Sequence, residues 1–255
     1  MTTTTIDVTT IAPLTHPEAM RLLATELDRT LSVLRELDGA DWATQTDCPA
    51  WDVQAMYQHV LGACEAGASL RENVHQLRLA RAHRKAHGGP LEAGLSNVQV
   101  RERGELTGPQ IVARLTAIAP KCVRGRRRTP GLVRNHATLA VDGPVQEKWK
   151  LGYLIDTIYL RDVWMHRVDT AHALDRPLEI SADHDGRIVA DVVAEWARRH
   201  GELFVLELTG RAGGTYINGR DTPDIDHLTL DAVEFCRTLA GRAPASGLLD
   251  TIVPF

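Results

Sequence analysis

Apolar residues in the first part of the chain recur with the 3.6-residue period of amphipathic helices. One helix is predicted from Thr15 to about Leu37. Thr15 and Glu18 fit a capping box at its start, and the leucines that follow, up to Leu37, form one apolar stripe. A second helix is predicted to begin after Asp52, a residue suited to the N-cap, and to continue to Cys64. Each helix is expected to bury its apolar face in a core.

Further helices are predicted over about 108–123 and about 146–174. The polar and basic stretch from about 70 to 104 is interpreted as a helical continuation and then a loop, because a Gly-Gly-Pro sequence at 88–90 interrupts it. The threonine-rich segment 1–14 shows no periodic pattern. It is predicted to be a disordered leader.

The pattern changes at the Arg176-Pro177 boundary, and residues 176–255 are predicted to form a small α+β domain. A Gly-Gly sequence in this part is typical of a hairpin turn between two strands. The predicted order is helix, strand, strand, strand and helix, at about 182–200, 203–208, 215–217, 227–230 and 231–240.

Composition and charge narrow the classes of function. The 255 residues are 44% apolar and 24% charged, as in ordinary globular proteins, and a net charge of −4 gives no general attraction to nucleic acid or to an anionic membrane. No apolar run approaches the roughly 20 residues that span a bilayer, and the N-terminal sequence does not resemble a secretory signal. The four cysteines show no CxxC spacing, which favours free thiols. We therefore expect a cytoplasmic protein with no nucleic-acid or membrane partner.

Three residues could bind a divalent metal. Asp162 and His166 are four residues apart in a helical pattern, so their side chains share one helix face. His59, in a separate predicted helix, could supply a third ligand. Two imidazoles and one carboxylate are a typical set for a catalytic zinc or a similar divalent ion, with positions left open for water or substrate.

A structural interpretation of the same residues stays open, since Asp162 and His166 could simply form an ion pair on their helix. Asp169 could orient His166 through its second ring nitrogen, as carboxylates do for metal-bound imidazoles. The i to i+3 spacing makes that contact borderline, and the alternative is an acid on the helix surface.

The segment 121–128 carries one lysine and four arginines and no acid. It could bind phosphate or carboxylate groups, and Arg126 and Arg128 are the candidates for binding a cofactor. It could also be a solvated basic loop. RNA binding is disfavoured because no aromatic residues interleave with the arginines.

Two separated motifs resemble a known family. Residues 46–53 (TDCPAWDV), followed by His59, resemble the T-x-C-P-x-W-x-V…H motif of the mycothiol-dependent maleylpyruvate isomerase family. Residues 161–169 (RDVWMHRVD) resemble its R-E-x-x-x-H-R-x-D motif. The sequences at 213–215 and 236–242 are similar to the small α+β domain of such proteins.

The resemblance implies a DinB-like, up-and-down four-helix bundle over residues 15–175, with zinc or another divalent metal held by His59, Asp162 and His166. The family's usual acid is glutamate, whereas this chain has the shorter Asp162. The shorter side chain implies a closer approach of the helices, an intervening water or a weaker metal site.

The implied chemistry uses mycothiol as a thiol cosubstrate, because a metal lowers the pKa of a coordinated thiol. The thiolate would attack a small electrophile, giving cis–trans isomerisation or S-transfer. The resemblance also implies that Arg242, in the small domain, binds a substrate carboxylate. A non-catalytic ligand-binding protein and a metal or stress sensor on the same scaffold stay open, as do a monomer and a homodimer.

Overall fold

The computed structural model describes residues 5–142, 146–220, 222 and 225–255. Its contacts divide the chain into two compact units, one formed by Thr15–Arg176 and the other by the residues before Thr15 together with Pro177–Phe255. In chain order the elements are β1 (Thr5–Asp7), α1 (His16–Arg35), α2 (Val53–Ala68), α3 (Leu70–His87), α4 (Leu91–Arg101), α5 (Gly108–Arg127), α6 (Gly131–His136), β2 (Thr138–Asp142), β3 (Gln146–Lys150), α7 (Leu151–Tyr153), a π-turn (Leu154–Ile158), α8 (Tyr159–Ala173), a second π-turn (Ala182–Gly186), α9 (Arg187–His200), β4 (Phe204–Thr209), β5 (Gly214–Asn218), β6 (Asp226–Asp231) and α10 (Ala232–Leu239).

The unit Thr15–Arg176 is an up-and-down four-helix bundle made of α1, α2, α5 and α8. Helix α5 packs against α1 and α2, and α8 packs against the same two helices. The leucine stripe of α1 is buried at Leu23, Leu27, Leu31 and Leu34. The fold class expected from the resemblance is therefore confirmed.

Local capping signals in the sequence were accurate. The amide of Glu18 donates to Oγ1 of Thr15, and the amide of Thr15 donates back to the Glu18 carboxylate, so the predicted capping box is formed. Asp52 accepts a hydrogen bond of 2.7 Å from the amide of Ala55 at the start of α2. Such side-chain caps satisfy amides that have no partner within the helix.

The helical continuation predicted after residue 70 is confirmed by α3, but the loop predicted after it is wrong, because α4 follows the break at 88–90 and forms a helical hairpin with α3. This hairpin packs against α2 partly through buried amides. Nε2 of Gln76 donates to the backbone oxygen of Gly62 at 3.0 Å, and Nε2 of Gln99 donates to Oε1 of Gln76 at 3.0 Å. Arg103 is also buried and pairs with Glu65 of α2. Polar side chains at buried positions hide the helical period from a hydrophobicity pattern.

Two further corrections concern helix boundaries. The basic segment 121–128 is the last part of α5, which continues through Pro120 because Cys122 and Val123 are buried against the bundle. The helix predicted from 146 begins only at Leu151, since Gln146–Lys150 is a strand that pairs antiparallel with β2. In both places tertiary packing overrides the local pattern.

The other unit is a four-stranded sheet in the order β1-β5-β4-β6. Helix α10 packs against β4 and β6, and Trp196 of α9 contacts Phe204 of β4. Strands β4 and β5 form the predicted antiparallel hairpin, while β6 pairs parallel with β4. The prediction of a disordered leader over 1–14 is wrong for its described residues, because β1 pairs parallel with β5 and Val8 is buried. Strand β1 is only three residues long and is held at the sheet edge by backbone hydrogen bonds, so it leaves no periodic signal in the sequence.

No helix in the part of the chain that the structure describes is both long and apolar enough to cross a membrane. Cys48, Cys64, Cys122 and Cys236 are free thiols, as the lack of CxxC spacing predicts.

Candidate metal centre

The structure brings His59, Asp162 and His166 together inside the helical bundle. His59 lies on α2, and the other two lie one turn apart on α8. Oδ1 of Asp162 is 3.5 Å from Nε2 of His59 and 3.3 Å from Nε2 of His166. The two imidazole rings stand nearly perpendicular, with their centroids 5.5 Å apart.

The spacing of these atoms can be compared with the geometry of a metal site. A tetrahedral ion with bonds of about 2.0–2.1 Å to nitrogen and oxygen separates its ligand atoms by roughly 3.3 Å. The two measured distances from Asp162 are close to this value, and each of the three residues offers an atom within 4.8 Å of the others. The shorter carboxylate therefore reaches both imidazoles without a water between them.

Nε2 of His166 is an unusual buried atom. It has no hydrogen-bond partner of acceptable geometry among the described residues, although the Asp162 carboxylate lies near it. A buried nitrogen that lacks a hydrogen bond normally costs stability. Coordination of a metal by that nitrogen would remove the cost, so the donor set fits a divalent ion.

Electrostatics favour charge in this cluster. Burial opposes ionisation of Asp162, but the imidazoles of His166 and His59 outweigh it and hold the pKa of Asp162 well below its usual value. Burial likewise opposes charge on His166, but the Asp162 carboxylate outweighs it and raises the pKa of His166 well above its usual value. Attraction to the two imidazoles therefore favours the ionised form of the Asp162 carboxylate, which is the form that could bind a cation.

Asp169 supports His166 from the side opposite Asp162. The possibility of a surface acid at this position is wrong, because Asp169 is 0% exposed and its Oδ2 lies 3.4 Å from Nδ1 of His166. The Cys48 thiol donates to the same oxygen at 3.7 Å. Asp169 thus fixes the orientation of the imidazole, which sequence spacing alone left undecided.

Trp51 covers one side of the site. Its ring stacks on His59 with centroids 4.9 Å apart, and it meets His166 edge-on at 6.1 Å. In the sequence, Cys48 and Trp51 are two positions of the motif at 46–53, and their spacing does not indicate these contacts. The side chain of Asp162 is 20% exposed, against 5% for His166, so the site opens on the Asp162 side.

The predicted cofactor-binding arginines occupy different environments. Arg126 is buried in the bundle, where Nη2 donates to the backbone oxygen of Ala63 at 3.2 Å and the guanidinium carbon lies 3.6 Å from the centre of the Tyr159 ring. Arg128 is exposed at the end of α5. The structure therefore does not place both arginines at one binding site.

Arg242, the predicted substrate-binding arginine, belongs to the other compact unit. It follows α10, where its amide donates to the backbone oxygen of Arg237 at 2.8 Å and its Nη1 donates to that of Ala240 at 3.3 Å. Its role in binding a carboxylate stays a prediction.

Residues 23–171 match the family model described as the mycothiol maleylpyruvate isomerase N-terminal domain. The match spans more than half of the chain and contains all three candidate metal ligands. No match to a curated protein sequence is found.

Two solved structures have a similar fold. One is the crystal structure of a mycothiol-dependent maleylpyruvate isomerase, with a TM-score of 0.56 and 16% sequence identity. The other is a histidine-to-alanine mutant of a mycothiol-dependent maleylpyruvate isomerase, with a TM-score of 0.55 and 15% identity. Each comparison covers 90% of this chain and 90% of the other chain. At this identity the likeness establishes the fold.

Proposed function

Because the chain belongs to the family of the mycothiol maleylpyruvate isomerase N-terminal domain, we propose that it is a mycothiol-dependent enzyme with a divalent metal held by His59, Asp162 and His166. The proposed reaction is cis–trans isomerisation of a small electrophilic substrate, with S-transfer as the other outcome of the same thiol chemistry. Zinc is the proposed metal, because two imidazoles and one carboxylate suit it.

One observation carries this proposal. The Nε2 atoms of His59 and His166 and the Oδ1 atom of Asp162 converge from two helices at the spacing expected around one ion, and Nε2 of His166 has no hydrogen-bond partner among the described residues. An ordinary ion pair explains the His166–Asp162 approach. It does not explain why a second imidazole from another helix meets the same oxygen.

The bundle supplies binding, orientation and proton control. A zinc ion would supply a lowered pKa for a coordinated thiol, so that the thiol reacts as a thiolate at neutral pH. Asp162 provides the negative charge for the cation. With a cation bound, His166 would coordinate through a deprotonated Nε2, and Asp169 would hold the remaining proton on Nδ1.

The surroundings fit a site that needs one open position. Trp51 excludes water from the face of His59 that it covers, while the partly exposed Asp162 marks the side from which a thiol and a substrate would enter. Arg242 is the proposed partner of a substrate carboxylate, since a guanidinium can bind a carboxylate through two hydrogen bonds.

The experiment measures metal content and thiol dependence in the same preparations. We expect the purified chain to hold about one zinc ion, and to consume or isomerise an electrophile only when mycothiol is added. His59→Ala should lose both properties. His87→Ala, at an exposed histidine of α3, is the matched control and should keep both.

Two results would contradict the proposal in different ways. A wild-type chain that binds no divalent metal would remove the metal site altogether. A chain that retains zinc but shows no thiol-dependent turnover would favour a metal sensor or a binding protein on this scaffold.

A further inference from the structure

Arg126 places a guanidinium in the interior of the helical bundle. The residue comes from α5 and is only 4% exposed. Its guanidinium carbon lies 3.6 Å from the centre of the Tyr159 ring of α8, and its Nη2 donates to the backbone oxygen of Ala63 on α2 at 3.2 Å. The Arg126 side chain therefore contacts α2 and α8, the two helices that carry the candidate metal ligands.

The contacts of Arg126 lie about one helical turn from those ligands. Ala63 follows His59 by four residues on α2, and Tyr159 precedes Asp162 by three residues on α8. Residues three or four apart share a helix face. Arg126 thus contacts α2 and α8 within about one helical turn of the candidate ligands on each helix.

We propose that Arg126 is a positioning residue for the metal centre, which sets the separation of α2 and α8 so that His59 meets Asp162 and His166. The inference rests on the proposed function, since it assigns Arg126 a role in metal binding. Arg126 acts through the two helices and does not contact the metal or the substrate.

Close packing leaves the Arg126 side chain little freedom. A Cβ atom added to Gly67 of α2 would lie 2.8 Å from Nε of Arg126 and 2.8 Å from Sγ of Cys122, and one added to Gly125 would lie 2.1 Å from the backbone oxygen of Gly67. Helices α2 and α5 therefore approach closely where Arg126 leaves α5. A side chain confined in this way can hold its two contacts at a fixed distance.

A lysine cannot make both contacts. It lacks the planar guanidinium that stacks on an aromatic ring while its N–H groups donate hydrogen bonds in the plane. The charge alone acts in the opposite direction, since a buried cation repels a metal ion. Burial opposes the charge of Arg126, but neighbouring groups, Cys122 first and Asp162 among them, outweigh it and raise the pKa of Arg126. If Arg126 positions the helices, replacing it should weaken metal binding. If it acts only through its charge, neutralising it should strengthen metal binding.

The test compares Arg126→Lys and Arg126→Met with Arg124→Lys and Arg124→Met, at an exposed arginine of the same helix. Zinc affinity is measured by competition with a chelator, the geometry of the site from the visible absorption of the cobalt-substituted protein, and stability by urea unfolding of the metal-free protein. We expect both Arg126 variants to bind zinc roughly 10–100-fold more weakly, the range found when groups that support metal ligands are replaced. Their cobalt spectra should also change, and the Arg124 variants should match the wild type in both.

Gly67→Ala provides a second perturbation that keeps the arginine. The added methyl group would lie 2.8 Å from Nε of Arg126 and 2.8 Å from Sγ of Cys122, so the confined guanidinium has to shift and zinc binding should also weaken. This variant decides the question if the Arg126 variants do not fold.

Three results would overturn the inference. If Arg126→Met binds zinc more tightly and Arg126→Lys binds it normally, the residue acts only through its charge. If both variants lose stability while the folded protein keeps its zinc affinity and cobalt spectrum, its role is structural. If Gly67→Ala leaves zinc affinity unchanged, Arg126 does not set the helix separation. A wild-type chain without metal would instead refute the proposed function.

Discussion

Replacing Asp169 with asparagine tests how the protein orients His166. The substitution keeps the size and shape of a side chain that is completely buried, but it removes the negative charge. In the wild type, Oδ2 of Asp169 lies 3.4 Å from Nδ1 of His166 and accepts from the Cys48 thiol at 3.7 Å. An asparagine oxygen can still accept one of these bonds, but as a weaker, neutral acceptor.

The expected magnitude follows from the position of Asp169 directly behind a ligand. Loss of such a carboxylate lowers metal affinity by roughly 10–100-fold, which corresponds to about 1.4–2.7 kcal/mol of binding free energy. The imidazole also becomes a poorer electron donor and is less firmly held. Both effects weaken binding in the same direction.

The assay is competition for zinc against a chelator of known affinity, with Asp169→Asn compared with Asp28→Asn, at an exposed acid of α1. Cys48→Ala separates the two hydrogen bonds, because it removes the thiol donor and leaves the contact between Asp169 and His166. We expect Cys48→Ala to affect zinc affinity less than Asp169→Asn does. Equal zinc affinity in wild type and Asp169→Asn would refute the reasoning.

Four other predictions follow from the same structure. Asp162→Ala should lower zinc affinity more than it lowers the free energy of urea unfolding, because the side chain is partly exposed; equal zinc occupancy would contradict this. Zinc affinity should rise with pH across the pKa of His166, which the Asp162 carboxylate raises, since the proton must leave before the metal binds; a pH-independent Kd would contradict it. Glu26→Gln should cost about 1.5–3 kcal/mol of stability, because it removes the charge of a buried carboxylate that accepts hydrogen bonds from Nε and Nη2 of Arg167, and a loss under about 0.5 kcal/mol in denaturant unfolding would refute that. Arg242→Ala should raise the substrate KM with zinc content unchanged, and loss of zinc would show a structural role instead.

Much of the fold was predictable because its signals are local. The capping box at Thr15, the N-cap at Asp52 and the leucine stripe of α1 each depend on residues within a few turns of one another. The Gly-Gly hairpin between β4 and β5 is of the same kind. Helix α4 was missed because polar Gln99 occupies one of its buried positions, where it donates to Gln76 of α3.

Some features of the candidate site could likewise be predicted from the sequence, whereas others depend on the folded structure. The pairing of Asp162 with His166 follows from helical spacing. His59 is a candidate third ligand from its residue type, and the resemblance to a family supports that choice. The contact of Asp169 with His166 depends on side-chain orientation, and the stacking of Trp51 on His59 depends on how a turn folds over α2. Arg126 could not be placed from sequence, because a run of arginines predicts solvent exposure and gives no sign that one of them points inward.

The central claim is that two imidazoles and one carboxylate share an ion that retains a place for sulfur. X-ray absorption at the zinc edge, recorded before and after addition of mycothiol, tests it most directly. The account predicts nitrogen and oxygen ligands at about 2.0–2.1 Å, two of them imidazoles, and one new sulfur ligand at about 2.3 Å after the thiol is added. A spectrum without imidazole ligands, or one that gains no sulfur when mycothiol is present, would contradict it.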